Sequence, residues 1–179
     1  FMDNVTGKMV CGSTCQGYND ESFWARGQAW AIYGTALSYK YTKNEKYIDV
    51  FENVLNFYCS KLPNDLIPYW DMIFQDTGDE PRDSSSGVIV ACGLLEMSKH
   101  VDKILSENYK SYAKKIMKSI FDNYRVKNKK YSNGLVLHGT YSKKTPFNTC
   151  TEEGVDECTS WGDYFFMEAL TRLKIDWNE

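Results

Sequence analysis

The sequence predicts an all-α chain of about five to six helices, stacked as helical hairpins and joined by long loops. Two observations predict it. Apolar residues recur at helical spacing in five separate windows. A weak internal repeat also shows: Ala25-Arg26-Gly27, Arg82-Asp83-Ser84 and Ser160-Trp161-Gly162-Asp163 open the first, third and fifth windows, each ahead of an apolar run with small residues. A single hairpin of this kind cannot bury its own face, so its neighbours must stack on it.

Residues 1–20 have no periodicity, and Thr6-Gly7 and Gly12-Ser13 punctuate them as loop. The first helix is expected to begin near Asp20-Glu21-Ser22, whose acidic residues suit its positive end. It continues from Phe23 to Tyr41 through Trp30, Tyr33, Ala36 and Leu37. Gly27, Ala29, Ala31, Gly34 and Ala36 allow a neighbour to pack closely. The turn Thr42-Lys43-Asn44 leads to a second helix, Glu45 to Lys61, with the stripe Tyr47, Val50, Phe51, Val54, Leu55 and Tyr58. Pro63-Asn64-Asp65 ends it.

A long loop follows, Leu66 to Arg82, of a length that is usually functional or well packed. Asp83-Ser84-Ser85-Ser86 offers N-caps for a third helix reaching about Ser98. The fourth is expected from Glu107 to Tyr124, with Tyr109, Tyr112, Ile116, Ile120 and Phe121 inward. Tyr131 to Tyr141 alternates weakly, as a short strand or an extended loop, and Lys143 to Thr159 reads as loop. The fifth helix runs from Ser160 to Lys174. Helices one, three and five are apolar on more than one side and form the inner layer. Helices two and four turn charged faces outward, among them Lys46, Lys110, Lys115 and Lys118. No internal boundary divides residues 1–179.

The chain has 179 residues and a net charge of −3, with 42% hydrophobic, 25% charged and 15% aromatic residues. Disorder is excluded by that composition, and no apolar stretch approaches the roughly 20 residues of a membrane span. The net negative charge argues against nucleic-acid binding. No signal peptide is visible at the first residues, and reduced thiols in a cytoplasm are expected. Of the six cysteines, Cys59 and Cys92 sit in apolar helical runs, where cysteine acts as a small hydrophobe. Cys11 with Cys15, and Cys150 with Cys158, lack the spacing of zinc fingers or ribbons, so no metal is expected.

The aromatic residues have two readings: filler for a helical core, or flat rings for stacking on sugars. In stacked hairpins the functional surface lies where loops meet the N-termini of the inner helices. That places Gln16, Trp24, Arg26 and Trp30 together, with Arg26 and Trp30 on one helix face. An arginine fork suits a sugar carboxylate; alternatively Arg26 pairs with a structural aspartate and both tryptophans are core. Asp71, Asp83 and Asp163 each sit at a loop or helix start and are weak candidates for acid–base work. His138 is a candidate acid/base or a satisfied loop histidine.

The run Gln16-Gly17-Tyr18-Asn19-Asp20-Glu21-Ser22-Phe23-Trp24-Ala25-Arg26-Gly27-Gln28-Ala29-Trp30 resembles the central motif of the unsaturated glucuronyl hydrolases, glycoside hydrolase family 88. Ile67-Pro68-Tyr69-Trp70-Asp71, Pro81-Arg82-Asp83-Ser84-Ser85, Leu137-His138-Gly139-Thr140-Tyr141 and Gly154 to Tyr164 follow in the family's order. The resemblance spans nearly the whole chain. It implies part of an (α/α)6 barrel. It also implies an enzyme that removes the unsaturated uronic acid left by polysaccharide lyases, with glycosaminoglycan oligosaccharides among its substrates and no cofactor. In that reaction an aspartate protonates the C4=C5 vinyl ether, water adds at C5, and the hemiketal collapses to release the next sugar.

By the same resemblance, Gln16, Trp24, Arg26 and Trp30 line the subsite for the unsaturated uronate. Cys15 borders the next sugar. Ser142 and Lys144 match a segment that contacts sulfate in members favouring sulfated substrates; Gly139 does not match it. The family's two catalytic aspartates lie upstream of the Gln16 motif, so no catalytic residue is expected in this chain, which reads as the C-terminal half of one barrel domain. Its expected partners are an unsaturated uronic-acid oligosaccharide and either the N-terminal half of the barrel or a second copy. Two alternatives stand beside this: a non-catalytic helical fragment binding acidic oligosaccharide or a partner protein, and an unsaturated rhamnogalacturonyl hydrolase. The string Ala25-Arg26-Gly27-Gln28-Ala29-Trp30 speaks against the latter.

Overall fold

Helix α3 (Ser84–Met97) is the axis of the structure, and all of its residues are buried. In this computed structural model, which describes residues 1–75, 78–128, 130 and 132–177 and side chains as far as residue 174, helix α1 (Ala25–Thr42) packs along one side of α3. Helix α5 (Ser160–Trp177) packs along the other. Helix α2 (Lys46–Ser60) lies outside α1, and α4 (Lys103–Ser119) outside α3. The inner layer is therefore α1, α3 and α5, as the apolar patterning implied. Tyr131, the first residue of the expected strand or extended loop, lies outside the described residues. Among them the non-helical segments form isolated bridges rather than named strands.

Small residues set how closely the layers approach. A Cβ on Gly93 of α3 would stand 3.1 Å from the Cα of Tyr33 on α1. Phe51, Leu55 and Tyr58 of α2, and Tyr109, Ala113, Ile116 and Met117 of α4, complete the core against this layer.

Two helix starts differ from expectation, each for a local reason. Helix α1 starts at Ala25 rather than near Asp20, because the Asp71 carboxylate holds the preceding segment off the helix. Its oxygens accept from the backbone N–H of Tyr18 (2.8 Å) and Phe23 (3.1 Å) and from the Ser22 hydroxyl (2.6 Å). Helix α4 starts at Lys103, earlier than expected, because the Asp102 side chain caps it by accepting from the Leu105 N–H at 3.0 Å. It then widens into a π-helical turn over Ile120–Tyr124. The wider turn shifts the inward face: Tyr124 is buried, whereas Phe121, expected inward, is 48% exposed.

At the C-terminal end of α3 a charged cluster ties the inner helices together. The buried Glu96 pairs with Arg172 of α5 at 2.6 Å, with Lys40 of α1 at 3.5 Å and with His100 at 3.2 Å. Arg172 also donates to Glu168 and to the Tyr33 hydroxyl. Burial alone would push the Glu96 carboxyl up. The hydrogen bond and charge of Arg172, with His100 and Lys40, instead hold it below the usual carboxylate range.

Candidate functional site

The N-terminal ends of α1, α3 and α5 meet at Arg26. Its side chain, 3% exposed, donates to the Asp83 carboxylate at 2.9 Å, to the Ser85 hydroxyl at 3.3 Å, and to the carbonyls of Thr140 (2.8 Å) and Tyr141. The guanidinium carbon lies 4.8 Å from the Trp24 ring centroid, 5.1 Å from Trp161 and 5.9 Å from Tyr141. Cation–π attraction at these distances adds to the ion pair. Of the two readings of Arg26, the structure shows the pair with an aspartate. Its fork is turned inward to Asp83 and two carbonyls, so it is not open to a sugar carboxylate here.

The three serines of α3 do not cap it, as the sequence suggested, but reach three different elements. Ser84 donates to the Leu137 carbonyl at 2.6 Å. Ser85 donates to Asp83 and accepts from the Trp161 indole N–H at 3.1 Å. Ser86 donates to the Ala25 carbonyl and bonds the Tyr58 hydroxyl. Asp83 is wholly buried. Burial pushes its carboxyl up from the ordinary aspartate value, against the opposing pull of Arg26 and Ser85.

The other weak acid–base candidates are engaged structurally. Asp71 organises residues 18–23, and Asp163 accepts from the backbone N–H of Leu135 and Val136. His138, at a positive φ of 63°, bonds Asp156 through Nδ1 and gives its carbonyl to the Ser84 N–H. Among the described residues no group of three or more His, Cys, Asp or Glu side chains could hold a metal ion.

The remaining expected site residues are spread along one rim. Gln16, partly buried, donates through Nε2 to the Tyr141 carbonyl at 3.2 Å. Trp24 buries its indole N–H without a partner among the described residues. Trp30, 39% exposed, sits nearly two turns further along the chain from Trp24 and packs T-shaped on Phe165, with ring centroids 5.2 Å apart, rather than joining Trp24. Cys15 is exposed. Ser142 is buried, and its hydroxyl donates to the Glu152 carbonyl at 2.7 Å, so it serves the loop's own bonding. Lys144 is exposed, and its backbone N–H donates to Glu153.

Two pockets open on this rim. A wide cleft of about 470 Å³ is lined by Tyr141, Glu152, Glu153, Glu157, Thr159 and Trp161, among others. A smaller pocket of about 80 Å³ is lined by Cys15, Gln16, Tyr141, Ser142, Cys150 and Glu152, with Thr151. Tyr141 and Trp161 lie 5.6 Å apart between ring centroids and form the cleft's aromatic wall. Sequence reasoning missed these two rings as site residues. The signal was present for one: Trp161 opens α5 as Trp24 opens α1, and both indoles flank the same arginine.

Residues 2–175 match the family model described as Glycosyl Hydrolase Family 88. The chain belongs to this family. The glycosyl hydrolase family 88 relatives include an unsaturated chondroitin disaccharide hydrolase of Streptococcus pneumoniae, 40% identical over 99% of this chain and 44% of that protein. Two solved structures superpose closely. The unsaturated glucuronyl hydrolase of Bacillus sp. (strain GL1) matches with a TM-score of 0.88 at 32% identity, over 97% of this chain and 45% of its own. A variant of the Streptococcus agalactiae unsaturated glucuronyl hydrolase, in complex with dGlcA-GalNAc6S, matches with a TM-score of 0.83 at 39% identity, over 99% and 46%. The all-helical layers are thus part of the family's (α/α)6 barrel, and the chain spans less than half the length of the relatives it matches.

Proposed function

We propose that this chain supplies part of the sugar cradle of a glycoside hydrolase acting on unsaturated glucuronyl oligosaccharides. The observation that carries this reading is the convergence of Trp24, Tyr141 and Trp161 around one buried arginine at the rim of an open cleft. Rings held this way offer flat apolar faces for sugar stacking. Arg26 is a positioning residue: it holds the rings and the 140–141 backbone rather than binding the carboxylate itself. Gln16 and Cys15 border the smaller pocket, on the side of the next sugar, and the exposed Lys144 follows Ser142 in the loop that forms its other side.

The reaction we assign begins with protonation of the C4=C5 vinyl ether. Water then adds at C5, and the hemiketal opens to release the next sugar. Asp71, Asp83 and Asp163 are each bonded within the fold, so we assign the first step to an aspartate outside this chain, in the N-terminal half of the barrel. The inner helices leave Trp30, Tyr164, Met167 and Leu170 exposed. We propose that the remainder of the barrel, or a second copy, covers this face. Six free thiols fit a cytoplasmic setting.

The test is the ultraviolet absorbance of the conjugated double bond in an unsaturated chondroitin disaccharide, followed with the 179-residue chain, beside saturation-transfer NMR of the same mixture. Binding without loss of absorbance is expected, and Trp161→Ala should weaken it roughly tenfold, about 1.4 kcal/mol. Hydration by the chain alone would overturn the assignment of the acid to another segment. Absence of binding in folded chain would overturn the cradle.

A further inference from the structure

Two segments far apart in sequence are stitched together at the smaller pocket. The Thr149 hydroxyl donates to the Thr14 carbonyl at 3.5 Å, the Asn148 amide to the Gly17 carbonyl at 2.8 Å, and the Thr145 hydroxyl to the Tyr18 carbonyl at 2.7 Å. Gln16 adds the bond to the Tyr141 carbonyl at 3.2 Å. The next residues after the paired Thr14 and Thr149 are Cys15 and Cys150. Both line the same pocket of about 80 Å³, and both are free thiols.

Their surroundings differ in a useful way. Cys15 is exposed, open to a soluble oxidant. Cys150 is 7% exposed, and its thiol donates to the Glu152 carbonyl at 2.7 Å. The other cysteines are placed otherwise. Cys59 and Cys92 belong to the helical core, where burial pushes both thiols up. Cys158 packs its sulfur against the Ser132 hydroxyl at 3.1 Å. Cys11 is exposed on the N-terminal segment, and does not line this pocket.

We propose that Cys15 and Cys150 are a thiol pair that forms a disulfide and so latches the Gln16 segment to the 141–154 segment beside the cleft. With glutathione disulfide as oxidant, the Cys15 thiolate attacks one glutathione sulfur and expels a glutathione thiolate. The Cys150 thiolate, turned from Glu152 into the pocket, then attacks the Cys15 sulfur and expels the second. Two protein thiols are oxidised, two glutathione thiols are produced and take up the two protons, and the atoms balance. The bond needs the two Cα atoms within about 7 Å, and the shared lining of one small pocket is what brings the two residues together. Closure fixes the wall that Gln16 and Tyr141 share. It is independent of the proposed hydrolase reading, since it requires no sugar.

The experiment exposes the folded chain to glutathione disulfide, blocks free thiols, and maps cross-linked peptides by mass spectrometry without reduction. The expected result is a loss of two titratable thiols and of two hydrogens in mass, with one linked peptide pair carrying Cys15 and Cys150. Cys15→Ser and Cys150→Ser should each abolish that pair, and Cys11→Ser should leave it intact. A bridge between Cys11 and Cys15, a stable glutathione adduct on Cys15 alone, or six thiols unchanged would each overturn the proposal.

Discussion

Arg26 and Asp83 form an ion pair at 2.9 Å, with 3% of one side chain and none of the other exposed, joining the first turn of α1 to the start of α3. A pair buried this deeply is not a simple gain, since taking both charges out of water costs as much as their attraction returns. It holds because the remaining N–H groups and oxygens are also bonded, by Ser85, Thr140 and Tyr141. Removing one partner strands the other. Asp83→Ala is therefore expected to destabilise the chain by about 3–5 kcal/mol, read from the midpoint of urea unfolding. A loss under 1 kcal/mol would show that Arg26 finds water or another acceptor.

Ser85 links that pair to the aromatic wall. Its hydroxyl donates to Asp83 and accepts from the Trp161 indole N–H. Ser85→Ala should cost about 1–3 kcal/mol, the penalty for leaving buried polar groups unpaired. Trp161→Phe removes the same donor. The two changes should therefore be less than additive, with a coupling of at least 0.5 kcal/mol in a double-mutant cycle. Strict additivity would mean that the indole is not held by Ser85.

These residues show what the sequence made legible and what it did not. The inner and outer layers followed from apolar spacing alone, because burial of α3 on all sides leaves a continuous apolar run from Val88 to Leu95. The starts of α1 and α4 did not follow. Asp20 and Glu21 looked like the acidic first turn of α1, yet Asp71, distant in sequence, captures the groups of Tyr18, Ser22 and Phe23. Asp102 was a readable cap that acidic Glu107 masked. The Arg26 pair was foreseen only as an alternative, since spacing gives no information on which distant aspartate arrives. Tyr141 stands in one of the motifs of the resemblance, but the weak alternation of its segment does not report that its ring reaches Arg26.

Glu96 gives the fold a directional dependence on pH. Its folded carboxyl is held below the ordinary value of 4.5 by Arg172, His100 and Lys40, against its own burial. A depressed carboxylate contributes stability that is fully present above the unfolded value and is lost as pH falls through the folded one. The chain should thus unfold more readily in urea as pH drops below about 4.5. Glu96→Gln should lower stability at pH 7 and flatten that acid dependence. An unchanged acid slope in the variant would place the dependence on other carboxylates.

Gly93 and Gly34 separate packing from helix propensity. Both lie inside helices, where alanine in place of glycine gains roughly 0.5–1 kcal/mol. At Gly34 of α1 no described residue stands within 4 Å of an added Cβ, so Gly34→Ala should realise that gain. At Gly93 of α3 the Cβ would meet Ile32 Cγ2 at 3.0 Å and the Tyr33 backbone at 3.1 and 3.2 Å. A side-chain methyl can turn aside, but the backbone of a packed helix cannot move alone. Parting α1 from α3 costs about 1–3 kcal/mol, the usual scale of overpacking. That exceeds the propensity gain, so Gly93→Ala should lower the melting temperature while Gly34→Ala raises it. Equal shifts in the two variants would mean that the α1–α3 contact yields, and that close approach of these helices is not what fixes the inner layer.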